Sequence, residues 1–510
     1  MRGVLASKVG ESHFDYRPIA QAVFAFECLH HRVKFMRKLI EALIIFKLLA
    51  LSSASLAADF FVTNDADSGG GSLRQAIVNA NATAGTSHRI RRSANFLGNV
   101  TIFLESPLPA FNKPTLEVDL PNITVTVFDV ANSFRLMTAG VNVERLTLKN
   151  FRLRIGLAES GGGGGCIAST ANSGTQLLIV DNIQFSSCVT RKTGFARGGA
   201  IYWNRGNVTI DRSDFIDNAA ISIDGNQASG GAIYANDLTV RTSYFFNNQT
   251  QSSDAGFGGA VFSDGQMEIR DSRFEQNKAL ASPGGQTHRG GAVAGVCDTC
   301  TNVIRESYFG SNRADDGGAI FIFDQTSPFT NITSLVNLTV LGNETRNSGA
   351  AIYLVRTALN GAHLSFQDNT AGSSGDNPTA HLSLLNGTIN SLHNSVFGFS
   401  ARPGCRAPLP AAVGLGNFTT DATCAVILPS ATQVANSAVS GTINLFDAMP
   451  VLRYAINSPA VDGAFTPQCV ATDARGTARP IDGNADGVAL CDAGAFEREA
   501  DLLFRNGFEN

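Results

Sequence analysis

Acidic side chains are the residues of this chain best suited to chemistry. Asp211, Asp214 and Asp217 recur at three-residue spacing, Asp315 and Asp316 adjoin a glycine pair, and Asp264 and Asp271 lie close together. Clustered carboxylates can supply the acid and base of glycoside cleavage, or bridge a cation to an anionic sugar. Asp315, Asp316, Asp211 and Asp214 are the candidates for such a role, although their spacing alone commits no catalytic set. A second cluster, Asp482-Gly-Asn484-Ala-Asp486-Gly487, has the opening pattern of an EF-hand-type loop. Its twelfth position is Ala493 instead of a bidentate glutamate, with Asp492 beside it, and helical flanks are missing. Calcium is its candidate ligand, and a solvated Asp/Asn/Gly turn is the alternative. Nothing else in the sequence requires a cofactor. Cys297-x-x-Cys300 has redox or zinc spacing, but lacks a second such pair and a strand-to-helix setting, so a small loop disulfide is expected. His88, His288, His363, His381 and His393 show no metal-ligand spacing and are expected to be surface residues.

The elements that must position these groups repeat. "GGAIYW" at 198, "GGAIYA" at 230, "GGAVFS" at 258, "GGAVAG" at 290 and "GGAIFI" at 317 recur every 27–32 residues, with weaker copies at 164 and 349. A second motif, aromatic-x-x-Asn, ends at Asn218, Asn248, Asn277, Asn312 and Asn369, and a short alternating strand lies between the two. Such units cannot bury an apolar face alone and must stack, with equivalent residues about 4.8 Å apart. Stacking predicts an apolar ladder of Phe215, Phe245, Phe274 and Phe309. It also predicts a small-residue ladder of Ser213, Ser243, Ser272 and Ser307. Asn218, Asn248, Asn277 and Asn312 should form an amide ladder at a left-handed turn, and the double glycines should sit at positive-φ bends. Arg241, Arg270 and Arg305 fall in one column. No helical period survives in residues 99–400.

The paired "GGAI" and "FxxN" motifs resemble the repeat of the chlamydial polymorphic outer-membrane proteins and of secreted bacterial proteins with the pectin-lyase-like fold. The resemblance covers roughly residues 160–370. It implies an all-β, right-handed parallel β-helix of three-sided coils, eight to ten in number. It says little about activity, because that fold carries lyases, hydrolases, adhesins and stalks alike. About 110 residues follow residue 400, too few for a membrane barrel of about twelve strands at roughly ten residues each. The polygalacturonase signatures are absent apart from the Asp315-Asp316 pair, and so is the pectate-lyase "WxDH" type. Trp203 is the only tryptophan, and with seven tyrosines it offers few platforms for sugar rings.

Solenoid ends need covering. "SLRQAI" after a glycine-rich loop resembles the segment that opens many secreted β-helices, and Ser72-x-x-Gln75 has capping-box spacing. "ATDARGTARPIDGNADGVALCDAGAFE" resembles a choice-of-anchor module through Arg475-Gly476, Arg479-Pro480 and the stretch ending at Glu497. Cys469 and Cys491 sit where that family pairs them. The last residues look like a tail found on exported proteins of some Gram-negative bacteria.

Compartment follows from the N-terminus. Arg37 and Lys38 precede a 13-residue apolar stretch, and Ser55 and Ala57 suit cleavage before Ala58. Spanning a bilayer takes roughly 20 apolar residues, so no transmembrane helix is expected in the mature chain. Residues 1–35 read as a mis-called upstream extension. Of nine cysteines, Cys28 falls in it; Cys166, Cys188, Cys297, Cys300, Cys405, Cys424, Cys469 and Cys491, read in order, fall into four local pairs, which suits export while the sequence leaves their connectivity open. The net charge of −4, without charged blocks, excludes nucleic acid as a partner.

The organisation expected is therefore extension 1–35, signal 36–57, N-terminal cap 58–98, β-helix repeats 99–400, the C-terminal β-helix end with a disulfide-tied anchor-like module 401–497, and tail 498–510. The expected protein is a non-catalytic monomer, secreted or at the cell surface of a Gram-negative bacterium. Its ladder surface would meet an extracellular polysaccharide or a cell-surface ligand. A lyase or hydrolase of acidic polysaccharide and an inert stalk are the alternatives.

Overall fold

The computed structural model describes residues 57–499, apart from 172–173, 282–285, 327, 373–377 and 429. The upstream extension with Cys28, the signal segment up to residue 56 and the tail from residue 500 lie outside the described residues. The described chain is an all-β parallel solenoid of about eleven turns. The motifs suggest fewer, because the coils from Ala58 to Arg154 pair in parallel register without the Gly-Gly-Ala motif. Among the described residues the strands form sheets of 29, 8 and 3 members.

One coil shows the construction. Gly198 and Gly199 make a bend and Ile201–Asp211 forms the long side. Asp214–Ile216 follows a left-handed residue at Arg212, and Ala219–Ser222 follows another at Asp217. Ala228–Ser229 then leads into Gly230 and the next coil. Equivalent residues pair directly: Tyr202 with Tyr234, Phe215 with Phe245, Arg241 with Arg270. The two glycines of each bend serve different needs. The first is left-handed, with φ of +60° at Gly198 and +65° at Gly230. The second is set by close approach: a Cβ on Gly199 or Gly231 would strike the carbonyl of the second glycine one coil on.

The asparagines do not occupy the left-handed turn expected of them. Asp217, Asn247, Gln276 and Ser311, each one residue earlier, take φ of 55°, 51°, 57° and 54°. That frees Asn218, Asn248, Asn277 and Asn312 to point into the interior, where all four are fully buried. Each Nδ2 donates to the Oδ1 one coil on, at 2.8, 2.9, 3.0 and 2.9 Å, the last reaching Asn343. The same Oδ1 atoms accept the preceding asparagine's backbone N–H at 2.9–3.1 Å. The row continues through Asn343 and Asn369 to His381. Asn343 escapes the sequence motif because Val340 stands where the aromatic would be. Beside it, the rings from Phe185 to Phe309 stack at 4.6–4.9 Å. Ser213, Ser243 and Ser272 each donate a backbone N–H to the serine Oγ of the next coil.

Helix α1, Leu73–Ala82, buries Leu73, Ala76, Ile77 and Ala80 in the same core as Val62 and Ile90. Only half a capping box forms. Ser72 Oγ accepts from Gln75 N at 3.1 Å, but the Gln75 side chain turns to Asn79, since Ser72 N already bonds Gly69 O. Helix α2, Ala422–Ile427, is tied to the strand at Cys405 by the Cys405–Cys424 disulfide. The other disulfides are Cys166–Cys188, Cys297–Cys300 and Cys469–Cys491, with Cα separations of 5.5, 6.0 and 6.3 Å.

Beyond residue 434 the chain folds back along the solenoid flank. Leu445 O and Asp447 O accept from Arg273, Thr472 O accepts from Asn337, and Tyr454 OH meets Ser365 Oγ at 3.1 Å. A buried ionic knot holds the return. Arg479 lies 3.2 Å from Glu497, donates to Gly494 O at 2.8 Å and touches His363 of the solenoid.

Candidate functional site

The long strands alternate faces. Ile201 and Trp203 point into the interior, where Trp203 is fully buried and donates to Gln176 O at 3.2 Å. The residue between them points outward, and stacking turns it into a row: Tyr202, Tyr234, Phe262, Ala294, Phe321 and Tyr353, in direct register. The row forms an apolar cluster separate from the interior. Phe257, from the three-stranded sheet, bridges the notch at Ala294 by lying 6.0 Å from Phe262 and 6.2 Å from Phe321. Of these, Tyr234, Phe257, Phe262, Phe321 and Tyr353 line an open groove of about 530 Å³; Tyr202 and Ala294 do not.

Charged groups edge the groove. The Arg197 guanidinium lies 5.0 Å over Tyr234 and 5.1 Å over Phe195. Arg289 lies 5.5 Å over Phe321 and 5.8 Å over Phe257, and pairs with Asp316 at 3.7 Å. Such cation–π contacts orient a guanidinium flat and leave its N–H edges outward. Asp264 accepts from Tyr234 OH at 2.7 Å; burial first, and then the Asp264 charge, push the phenol well up.

The four carboxylates named as candidates fall into two pairs on different coils, Asp211 with Asp214 and Asp315 with Asp316. Asp211 pairs with Arg212 at 3.0 Å. Asp214 lines a separate groove of about 170 Å³ with Arg152 and Asn182, where burial pushes its carboxyl up against the opposing charge of Arg152. Asp315 lines another, of about 360 Å³. Its burial favours the neutral acid, yet hydrogen bonding from His288 and the charge of Arg346 outweigh this and hold the group below the usual range. Burial raises Asp316, which turns instead to Arg289 and Ser348 N. Asp214 and Asp315 thus line different grooves. The arginine column pairs across coils through Glu268, 3.9 Å from Arg241 and 4.0 Å from Arg270.

In the 482–487 loop the oxygens serve the loop itself. Asp482 accepts from Asp486 N and Gly487 N, Asn484 from Asp486 N, and Asp486 from Val488 N. Among the described residues no group of three or more His, Cys, Asp or Glu side chains could hold a metal. The histidines expected at the surface are buried: His88, His288, His363 and His381 at 1% exposure or less, and His393 at 6%. They fill polar gaps between coils. His381 bonds Gly398 O at 3.0 Å, and burial lowers its ring to about 4.

The aromatic row escaped the sequence reading, which counted tryptophan and tyrosine as platforms. Its signal was present in the fifth position of each glycine motif, as in "GGAIYW", "GGAVFS" and "GGAIFI". Comparison with protein-family models, curated proteins and solved structures returns no match.

Proposed function

We propose that this is a secreted or cell-surface solenoid that holds glycan along the aromatic groove and does not cleave it. The observation that carries the reading is the axial groove from Tyr234 to Tyr353, lined by aromatic edges and by the half-buried rings of Phe257 and Tyr353, a lining suited to the C–H faces of sugars. The carboxylate lining that track, Asp264, is engaged by Tyr234, which favours binding over acid–base chemistry. Four disulfides and the apolar segment before Ala58 support export. In this reading α1 is the N-terminal cap of three-sided coils, and residues 434–497 are a module that shields the flank.

The test uses the chain from Ala58 with a panel of neutral and acidic polysaccharides, with and without calcium. Retention without loss of chain length is expected, and Tyr353→Ala should weaken it about tenfold while leaving thermal unfolding unchanged. Chain cleavage abolished by Asp315→Asn together with Asp316→Asn would replace this reading with an enzyme.

A further inference from the structure

The Arg197 end of the groove differs from the rest. Arg289 has Asp316 as its counter-charge, whereas no hydrogen bond or ion pair reaches the Arg197 guanidinium among the described residues. Its neighbours increase the imbalance. Lys192 donates to Gly161 O, and Arg135 donates to Gly163 O at 2.7 Å and Gly164 O at 3.0 Å, so both cations are anchored on the glycine-rich loop. Burial, and then the charges of Arg197 and Arg135, hold the Lys192 ammonium below its usual value, with Asp224 opposing. Three cations thus crowd one end of an aromatic track, and the one stacked on the track has its donor edges unspent. A guanidinium flat on a ring presents N–H pairs in the geometry that suits a carboxylate or sulfate.

Resting on the glycan reading, we propose that the groove selects a linear glycan bearing a carboxylate or sulfate ester, with that anion held by Arg197 and the following sugars laid along the groove as far as Tyr353. The groove from Tyr234 to Tyr353 takes four coil steps, about 19 Å at the inter-strand spacing, so the chain runs along the solenoid axis. Arg197 is a binding residue here, and Lys192 and Arg135 set the local field.

Titration calorimetry on the chain from Ala58 would use a neutral β-linked glucan oligomer, the same oligomer oxidised to its uronic acid, and the same oligomer sulfated at the primary hydroxyl. Both anionic forms, or one of them, should bind about tenfold or more tightly than the neutral form, with the difference shrinking as salt rises. Arg197→Gln should erase the difference between anionic and neutral forms, while Tyr353→Ala should weaken all three alike and preserve it. If one anion alone gains, that anion is the natural group. Neutral and anionic forms binding equally, or Arg197→Gln weakening all three equally in a normally folded variant, would overturn the inference and leave the glycan reading standing. Polyglutamate binding as tightly as the anionic glycans would also overturn it, as charge without sugar. No binding of any oligomer to the unaltered chain would remove the glycan reading itself.

Discussion

Asn248 in the solenoid and Arg479 in the C-terminal segment are both buried and richly hydrogen-bonded, but their partners differ in kind. Asn248 meets Asn218 before it and Asn277 after it, plus the carbonyl of Phe215. Each neighbour repeats the same contacts one coil along, so position in the lattice specifies the partner. Arg479 meets Glu497, His363 and the carbonyl of Gly494, none of which recurs elsewhere in the segment. Strand pairing shows the same contrast: long parallel registers up to Gln433, then isolated antiparallel bridges such as Thr442 with Arg453. The solenoid spreads its stability over many equivalent neutral contacts. The returning segment joins two small apolar clusters and the Cys469–Cys491 disulfide to a few charged contacts that do not repeat.

The sharpest way to break that contrast is Glu497→Gln. Leaving one member of a buried ion pair unpaired costs about 3–5 kcal/mol. Hydrogen exchange should accelerate across residues 441–497 while amides of the Asn ladder stay protected. Uniform acceleration along the whole chain would show that the segment is no separate unit of stability. Asn277→Ala is the solenoid counterpart. It leaves Asn248 N without an acceptor and should cost about 1–3 kcal/mol. The change should appear in denaturant unfolding, with faster exchange confined to the adjoining coils.

The smallest effect is in pH. Burial, with the charges of Glu497 and Asp462, pushes Asp492 up to about 7 from 3.8, so the folded state takes its proton first. Its stabilising share is complete below 3.8 and is lost as pH rises through about 7. His363 acts in the opposite sense. Burial and Arg479 hold its ring well below 6.5, so stability is lost as pH falls below 6.5. In the unaltered protein the two trends offset each other on the acid side. Asp492→Asn should leave the histidine trend exposed, and the segment's melting temperature should drop more steeply on acidification than in the parent. Parallel curves would remove both groups from the pH response.

Legibility followed the same division. Phe245 and Asn248 could be placed in columns from the sequence because each coil must present its apolar and amide groups where the next coil does. The left-handed residue was misplaced by one position, from Asn248 to Asn247, because both are asparagine and only the coil's curvature decides which side chain turns inward. Tyr234 and Phe262 stood in the motif from the start. Their meaning was hidden because period-two alternation does not say which face is interior. The burial of His363 was unreadable, since it depends on a segment more than a hundred residues away.

By itself the sequence determined the stacked-strand period, the bends that only glycine fits and the phenylalanine column. These are short-range requirements, repeated often enough to be unambiguous. Tertiary structure alone decided that Asp214 and Asp315 line different cavities, that an outward aromatic row meets Arg197 and Arg289, and that residues 434–497 return along the flank as far as Arg273. Contacts of that range depend on coil pitch and on how loops pack between coils. No local pattern of residue types encodes either.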